Sequence, residues 1–158
     1  MRMNRRTVSI AGLAIAVAPW ARAHHGWSSF DQKRPIYLEG RVAKAAWRNP
    51  HAELVLDVAP GLQVPPALAR RAVPAQSASV DGAGVLARAT VPTRKDRQWT
   101  IELAPLIRMQ AWKVDEIKAG DSIGVVGNTF AGEKGDAVLR VEYLLVGDKT
   151  YGLRSSPA

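Results

Sequence analysis

The feature that most constrains the fold is a row of five strand-like segments with one helical segment between the third and the fourth. Residues 52–58 (AELVLDV) and 97–103 (RQWTIEL) place apolar residues at alternate positions, which is the period of a strand with one buried face. Residues 104–117 instead space their apolar side chains at helical intervals, and Pro105 suits a first helical turn. The remaining strand-like segments are residues 35–47, 121–127 and 137–147.

This order of elements predicts the fold class. Three strands, one helix and two further strands are the arrangement of the OB fold, a small barrel of five strands. We therefore predict a mainly β protein in which residues 35–147 form a five-stranded OB-like barrel with one helix between strands 3 and 4. A different small antiparallel barrel or a meander is the alternative that the same pattern leaves open.

One long segment interrupts the pattern between the second and third strands. Residues 60–96 contain five of the ten prolines and many small residues, which is typical of a long mobile loop. We predict a loop insertion with a helical turn at 66–72, and we expect a chain without residues 62–94 to remain folded. The parts outside the barrel are an N-terminal arm at residues 24–34 and a C-terminal tail at residues 148–158.

The N-terminus has the three parts of an export signal, so residues 1–23 are predicted to be a cleaved signal peptide. A positively charged start precedes a short apolar run at residues 7–18, and Ala21-Arg22-Ala23 supplies the small residues that a signal peptidase needs. Arg5-Arg6 partly matches a twin-arginine signal, which leaves the Sec and twin-arginine routes both open. The apolar run is too short for a permanent membrane anchor, so we expect a periplasmic protein.

Composition bears on several function classes. Of the 22 basic residues, four lie in the predicted signal peptide, which leaves 18 basic and 14 acidic residues and a net charge of +4. So small an excess gives no reason to expect a nucleic-acid partner. Because the chain has no cysteine, disulfides, thiol nucleophiles and cysteine-ligated metals are excluded. The sequence also has no nucleophile elbow and no phosphate-binding glycine loop, so it does not indicate an enzyme.

Three histidines are the strongest candidates for a functional site. If cleavage follows Ala23, His24 becomes the first residue, and its free amine and ring nitrogen can chelate one metal ion beside the ring of His25. Copper(II) favours nitrogen ligands of this kind, and zinc and nickel also accept them. The alternative is that the pair is a polar spacer, because residues just after a signal are commonly disordered.

His51 supplies a third candidate ligand from a different part of the chain. It ends the segment Trp-Arg-Asn-Pro-His in the turn between the first two predicted strands, and in an OB barrel this turn borders the usual binding surface. An arm folded over that rim would bring His24 or His25 to His51, although His51 as a simple turn residue is the alternative. Carboxylates that can act as ligands, or accept a hydrogen bond from a ring N–H, are Asp31, Glu39 and Glu53.

The aromatic residues are predicted to be core residues rather than an exposed stacking surface. Trp99 follows the apolar side of its strand, and Trp112 lies on the predicted helix. A row of exposed aromatic side chains would instead suit single-stranded nucleic acid or glycans. The aromatic residues after the predicted cleavage point are Trp27, Phe30, Tyr37, Trp47, Trp99, Trp112, Phe130, Tyr143 and Tyr151.

Four short motifs occur together in the first half of the chain. They are His24-His25, Phe30-Asp31, a Leu-x-Gly-x-Val segment at 38–42 and a Trp-x-Asn-Pro-His segment at 47–51. In this combination the chain resembles a family of small exported proteins of Gram-negative bacteria whose function is unknown. Looser matches follow in QWTIELAP, IRMQAW and AGDSIGVVG, whereas residues 60–96 depart from the family pattern. The resemblance implies export and a small β-barrel, and it supplies no activity.

These observations favour a periplasmic metal-binding protein that stores copper(II), or hands it to a protein partner, through His24, His25 and His51. The rival hypothesis is a metal-free OB-like module that binds a small ligand, a glycan or a protein at the barrel rim. A copper redox enzyme with a histidine brace ranks last, because the sequence indicates neither a substrate platform nor an axial tyrosine.

Overall fold

The computed structural model describes residues 26–158, most of which form one sheet. Residues 1–25, and with them the predicted signal peptide (residues 1–23), His24 and His25, lie outside the described residues. Five strands correspond to the five predicted segments, and each begins and ends within one residue of its predicted bounds. They are β1 (Ile36–Ala46), β2 (Glu53–Val58), β3 (Gln98–Glu102), β4 (Ser122–Asn128) and β5 (Val138–Val146).

The strands close into a barrel. Antiparallel pairings join them in the order β3-β2-β1-β4-β5, and a parallel pairing of β3 with β5 connects the two ends of the sheet. This connectivity, with a helix between β3 and β4, is that of the OB fold. The predicted mainly β, OB-like barrel is therefore confirmed, and an open meander is excluded.

Alternation along the strands sends one set of side chains into the barrel. Leu54 and Leu56 of β2 and Trp99 and Ile101 of β3 are each at most 1% exposed, while the residues between them face outward. Burial of each such side chain stabilises the fold by roughly 1.5–3 kcal/mol. The prediction that Trp99 is a core residue is confirmed. Other members of this core are Ile36, Leu38, Val42, Met109, Ile117, Ile123, Val125, Leu139, Val141 and Leu144.

The Leu-x-Gly-x-Val motif has a structural explanation in β1. Leu38 and Val42 point into the core, and Gly40 lies between them, paired with Val58 at the end of β2. A Cβ atom on Gly40 would lie 1.9 Å from the carbonyl oxygen of Asp57, which is far inside van der Waals contact with backbone. Only glycine lets the two strands approach this closely, so the motif serves the geometry of the barrel.

Residues 60–96 contain ordered secondary structure. A 3-10 turn at Leu68–Arg70 lies within the predicted helical turn, and helix α1 (Gly82–Ala87), which the sequence did not predict, follows it. The carboxylate of Asp81 caps α1, because it accepts a hydrogen bond from the N–H of Gly84 at 2.9 Å. A helix of six residues is too short to show a helical period in the sequence.

This insertion covers the outer face of the barrel with a second apolar cluster. Leu68, Leu86 and Ala89 of the insertion are buried against outward-facing side chains of β1, β4 and β5. The expectation that the insertion is only a loop is therefore wrong. Because the sheet has large apolar residues on both faces, its outer face is stable only when another part of the chain covers it. The side chains covered on the barrel are Tyr37, Val126, Tyr143 and Leu145.

The helix between β3 and β4 is shorter than the predicted segment 104–117. Helix α2 (Leu106–Ala111) begins after Pro105, which is its N-cap residue rather than part of its first turn. It ends because Lys113 adopts a left-handed conformation with a φ of 53°. Within residues 26–158, no helix has the length and apolar character needed to cross a membrane.

Residues 148–158 take part in the fold, in contrast to the predicted tail. Strand β6 (Lys149–Gly152) pairs antiparallel with β5, and Leu153 beyond it is 1% exposed. The chain then returns to the insertion, where Gln76 pairs with Pro157 in an isolated bridge. The C-terminal residues therefore hold the insertion against β5.

Candidate functional site

The N-terminal arm of the described chain lies against the connection between β4 and β5 (residues 129–137). The rings of Phe30 and Phe130 stack with their centroids 4.9 Å apart, and the two residues form an isolated β-bridge. The N–H of Asp31 donates to the carbonyl oxygen of Thr129 at 2.8 Å. One apolar contact and backbone hydrogen bonds thus attach the arm to the barrel.

Two arginines hold Trp27 at the other end of this arm. The guanidinium carbon of Arg154 lies 4.0 Å from the ring centroid of Trp27, and that of Arg140 lies 5.4 Å from it. Arg140 also lies 4.5 Å from the ring centroid of Phe30. Cation–π contacts of this kind contribute about 0.5–2 kcal/mol each, depending on how far they are desolvated. Together they anchor an arm that has little other secondary structure.

Carboxylates on the strands, of which Glu142 is buried and Glu102 partly exposed, fix both arginines in place. Two guanidinium nitrogens of Arg140 donate to Glu102 at 2.7 and 3.0 Å. Arg154 forms an ion pair with Glu142, whose side chain is 2% exposed and also accepts a hydrogen bond from Asn128 at 2.9 Å. Because the carboxylates are held by the strands, Trp27 binds to a preformed surface. We call this surface the arm-binding face, and its residues are Glu102, Arg140, Glu142 and Arg154.

The arm-binding face continues across β3 to the start of β2. Glu102 is paired in register with Arg140 on β5 and with Glu53 on β2, and all three residues alternate with buried core residues, so their side chains face outward. In OB folds the outer face of strands 2 and 3 and the loops after strands 1 and 4 bind ligands. The arm therefore lies beside the surface that this fold commonly uses for binding.

His51 lies at the end of the barrel where β2 begins. It follows the cis Asn49–Pro50 peptide in the connection from β1 to β2, and it is half-buried. The next residue, Ala52, donates its N–H to Ala104 at 3.2 Å and accepts a hydrogen bond from the N–H of Leu103 at 2.9 Å. These bonds hold His51 next to the end of β3. Glu53, where the continuation of the arm-binding face ends, follows His51 by two residues.

The predicted carboxylate partners occupy different places. Asp31 lies on the arm, where its carboxylate accepts a hydrogen bond from the N–H of Lys33 at 3.0 Å. Glu39 accepts a hydrogen bond from the hydroxyl of Tyr37 at the opposite end of β2 from His51, so it is not a neighbour of the predicted site. Among residues 26–158 no three histidine, aspartate or glutamate side chains group as ligands for a metal ion.

The sequence did not indicate the residues that hold the arm. It grouped Trp27 with the core aromatics, whereas the structure places Trp27 half-buried between two arginines. Arg140, Glu142 and Arg154 lie in the last part of the chain, and no local motif connects them with Trp27. The one signal in the sequence is the presence of two charged residues, Arg140 and Glu142, in an otherwise apolar strand.

A second buried carboxylate stabilises the connection after β4. The side chain of Glu133 is 4% exposed, forms an ion pair with Arg34 and accepts hydrogen bonds from the N–H groups of Thr93 and Arg94 at 2.9–3.0 Å. Burial alone raises the pKa of Glu133, but these donors favour the charged form, so the net pKa lies below the ordinary value of 4.5.

The Glu133→Gln variant is expected to lose about 1–3 kcal/mol of stability near neutral pH, because a buried charged acceptor becomes a neutral one. The folded-state pKa of Glu133 lies below its unfolded value, so its contribution is present above pH 4.5 and is lost as the pH falls through the folded pKa. Urea unfolding at a series of pH values should show the two proteins converging in acid. The exposed Glu116→Gln variant is the control. A stability difference between the unmodified protein and Glu133→Gln that stays constant with pH would contradict the lowered pKa of Glu133.

Comparison with known proteins finds a similarity in the first part of the chain. No curated protein and no solved structure matches the sequence. Residues 12–63, which include His24, His25, the arm, β1, β2 and His51, match the model of a family of unknown function (DUF6152). Over this range the chain is similar to a family whose members have no assigned activity.

Proposed function

We propose that this protein is a periplasmic metal-binding protein that binds copper(II) through His24, His25 and His51 and stores the ion or hands it to a protein partner. The proposal includes cleavage of the signal peptide after Ala23, which makes His24 the first residue. Its amine and ring nitrogen, the ring of His25 and the ring of His51 are ligands that copper(II) prefers. Zinc and nickel are the alternative ions.

The attachment of Trp27 and Phe30 to the barrel is the observation that supports this proposal. Consecutive Cα atoms are about 3.8 Å apart, so a segment of three residues before Trp27 can reach no further than about 11 Å from it. The arm-binding face, to which Trp27 is anchored, continues through Glu102 to Glu53, two residues after His51. An arm that is already anchored loses less conformational entropy when its first residues bind an ion.

The carboxylates have a supporting role in the proposal. A metal-bound imidazole commonly donates its second N–H to a carboxylate, which fixes the orientation of the ring. Glu53, two residues after His51 on the outward face of β2, is the first candidate for this role, and Asp31 on the arm is the second. Both would orient ligands rather than replace them.

The rival function is a metal-free module that binds a small ligand, a glycan or a protein. It is favoured by the OB connectivity, because the outer face of strands 2 and 3 is the usual ligand surface of this fold. In that case the arm is a fixed border of the ligand surface, and His24 and His25 bind no metal. The two functions differ in whether a metal ion binds at one equivalent.

The deciding experiment is a metal analysis of protein isolated from the periplasm with its native N-terminus. We expect N-terminal sequencing to begin at His24-His25, and calorimetry to show one equivalent of copper(II) bound more tightly than zinc or nickel. His51→Ala should weaken binding and alter the copper EPR spectrum, whereas Arg48→Ala, an exposed change in the same loop, should do neither.

Three outcomes would contradict the proposal. Protein that retains Met1 would remove the N-terminal amine ligand. The absence of stoichiometric copper binding would leave the metal-free module. Oxygen or peroxide consumption with a reductant, dependent on both copper and His51, would make the protein a redox enzyme instead of a carrier.

A further inference from the structure

A groove lies at the end of the barrel opposite to His51. It has a volume of about 570 Å³ and runs between residues 58–63, which follow β2, and residues 91–97, which lead into β3. These two segments include both ends of the insertion at 60–96, so the insertion builds the walls of the groove. The volume lies within the range of about 300–1,000 Å³ that is usual for small-molecule sites.

The base of the groove is apolar. Val58, Ala59, Leu62, Val91 and Pro92 line it, and each of these residues is half-buried. Leu62 also packs against both apolar clusters, which makes this wall part of the folded core. An apolar surface that is partly open to solvent favours the burial of an apolar ligand.

The edge of the groove carries excess positive charge. Arg94, Lys95 and Arg97 line it, and Asp96 is the one carboxylate among the lining residues. Arg94 already binds Asp96 through two hydrogen bonds of 2.5 and 3.1 Å. Lys95 and Arg97, both exposed, are therefore the cations that remain without a counter-charge from the lining of this groove.

Hydrogen bonds hold the charged edge in one conformation. The guanidinium of Arg94 donates to the carbonyl oxygens of Glu133 and Gly135 at 2.9 and 3.0 Å, while the backbone of Thr93 and Arg94 is held by the Glu133 carboxylate. The carbonyl oxygen of Arg97 accepts a hydrogen bond from the N–H of Val58 at 2.8 Å, which ties the two walls together. The backbone and Arg94 are therefore fixed before a ligand binds, and only the exposed side chains of Lys95 and Arg97 have to be ordered on binding.

We propose that this groove binds a small organic anion with an apolar body and one acid group, with a medium-chain carboxylate as the simplest member of the class. The apolar body lies on the base of the groove, and the carboxylate contacts Lys95 and Arg97 at its edge. Both interactions are needed, because a lone exposed ion pair contributes little and an apolar base alone does not select for charge. The site is separate from the proposed copper site and does not depend on it.

The test uses octanoate as the probe, with 1-octanol as the neutral analogue and octylamine as the cationic one. Octanoate titrated into the ¹⁵N-labelled mature protein should shift the amide signals of residues 58–63 and 91–97 saturably, and the two analogues should bind more weakly. The double variant Lys95→Gln/Arg97→Gln should lower octanoate affinity about tenfold or more, because it removes both charged contacts. Lys44→Gln/Arg48→Gln removes the same charge away from the groove and should leave the affinity unchanged.

Several results would overturn the proposal. Equal binding of octanoate and 1-octanol would show an apolar site without charge selection. An equal loss of affinity in the two double variants would show a general effect of protein charge. Signal shifts confined to other regions, or none at all, would show that the groove does not bind this class of ligand.

Discussion

A protein with one extra residue before His24 is expected to bind copper(II) about 10- to 100-fold more weakly, or weaker still, than the mature protein that begins at His24. That is the loss seen when a group that merely orients a metal ligand is removed, and here a ligand itself is lost. In the longer chain the nitrogen of His24 is an amide, which is a poor donor. In the mature chain it is an amine, whose proton a metal ion can displace near neutral pH. The site would thus be completed only when the signal peptide has been cleaved.

Competition titration and copper EPR of the two proteins measure this effect. A protein with one extra residue after Ala158 has the same added mass and should bind as the unmodified protein does. Copper binding should also weaken as the pH falls through the range in which imidazole is protonated, since protonated rings cannot bind metal. Unchanged affinity and an unchanged spectrum in the N-terminally extended protein would show that the amine of His24 is not a ligand.

The Leu86→Ala variant is expected to lose about 2–5 kcal/mol of stability, the usual cost of removing a fully buried leucine side chain. Leu86 is 1% exposed and packs in the cluster through which the insertion covers Tyr37, Val126, Tyr143 and Leu145. Chemical denaturation should show a lower midpoint with an unchanged slope. Ile107→Ala removes a similar side chain that is 78% exposed, and it should change the stability by no more than about 0.5 kcal/mol.

The same packing reverses an expectation drawn from the sequence. The composition of the insertion predicts that a chain lacking residues 62–94 remains folded, but the deletion would expose the outer apolar face of β1, β4 and β5. With this face exposed, we expect the chain to lose cooperative unfolding or to aggregate. If Leu86→Ala costs less than about 1 kcal/mol and the deleted chain still unfolds cooperatively, the insertion is dispensable for the stability of the barrel.

The two proposed sites lie at opposite ends of β2. His51 precedes β2, at the end where the continuation of the arm-binding face reaches Glu53, and Val58 ends β2 at the wall of the anion groove. The family match ends at Gln63, so it covers the β2 side of the groove and His51 but not the basic residues of the groove at 94–97. The arm and the first two strands are therefore what this chain shares with the family, and the charged edge of the groove lies beyond the match.

The sequence by itself determined the positions of the five barrel strands, their order and the place of His51 between the first two. Strand segments such as 52–58 and 97–103 are visible because alternation is a local property, read from neighbours in the chain. The order of these segments around one helix was enough to predict the OB fold. The short helix α1 was missed because six residues are fewer than two helical turns, and strand β6 was missed because four residues carry too little alternation.

Only the tertiary structure decided which residues hold the N-terminal arm and what the insertion does. Trp27 contacts Arg154 from the other end of the chain, and Arg154 is itself held by the buried Glu142. Leu86 is buried because it packs in one apolar cluster with Tyr37 and Tyr143 on the outside of the barrel. Nothing near Leu86 in the sequence indicates this contact. Such contacts join segments far apart in the chain, and their energy depends on the shape of the closed barrel rather than on any local pattern of residues.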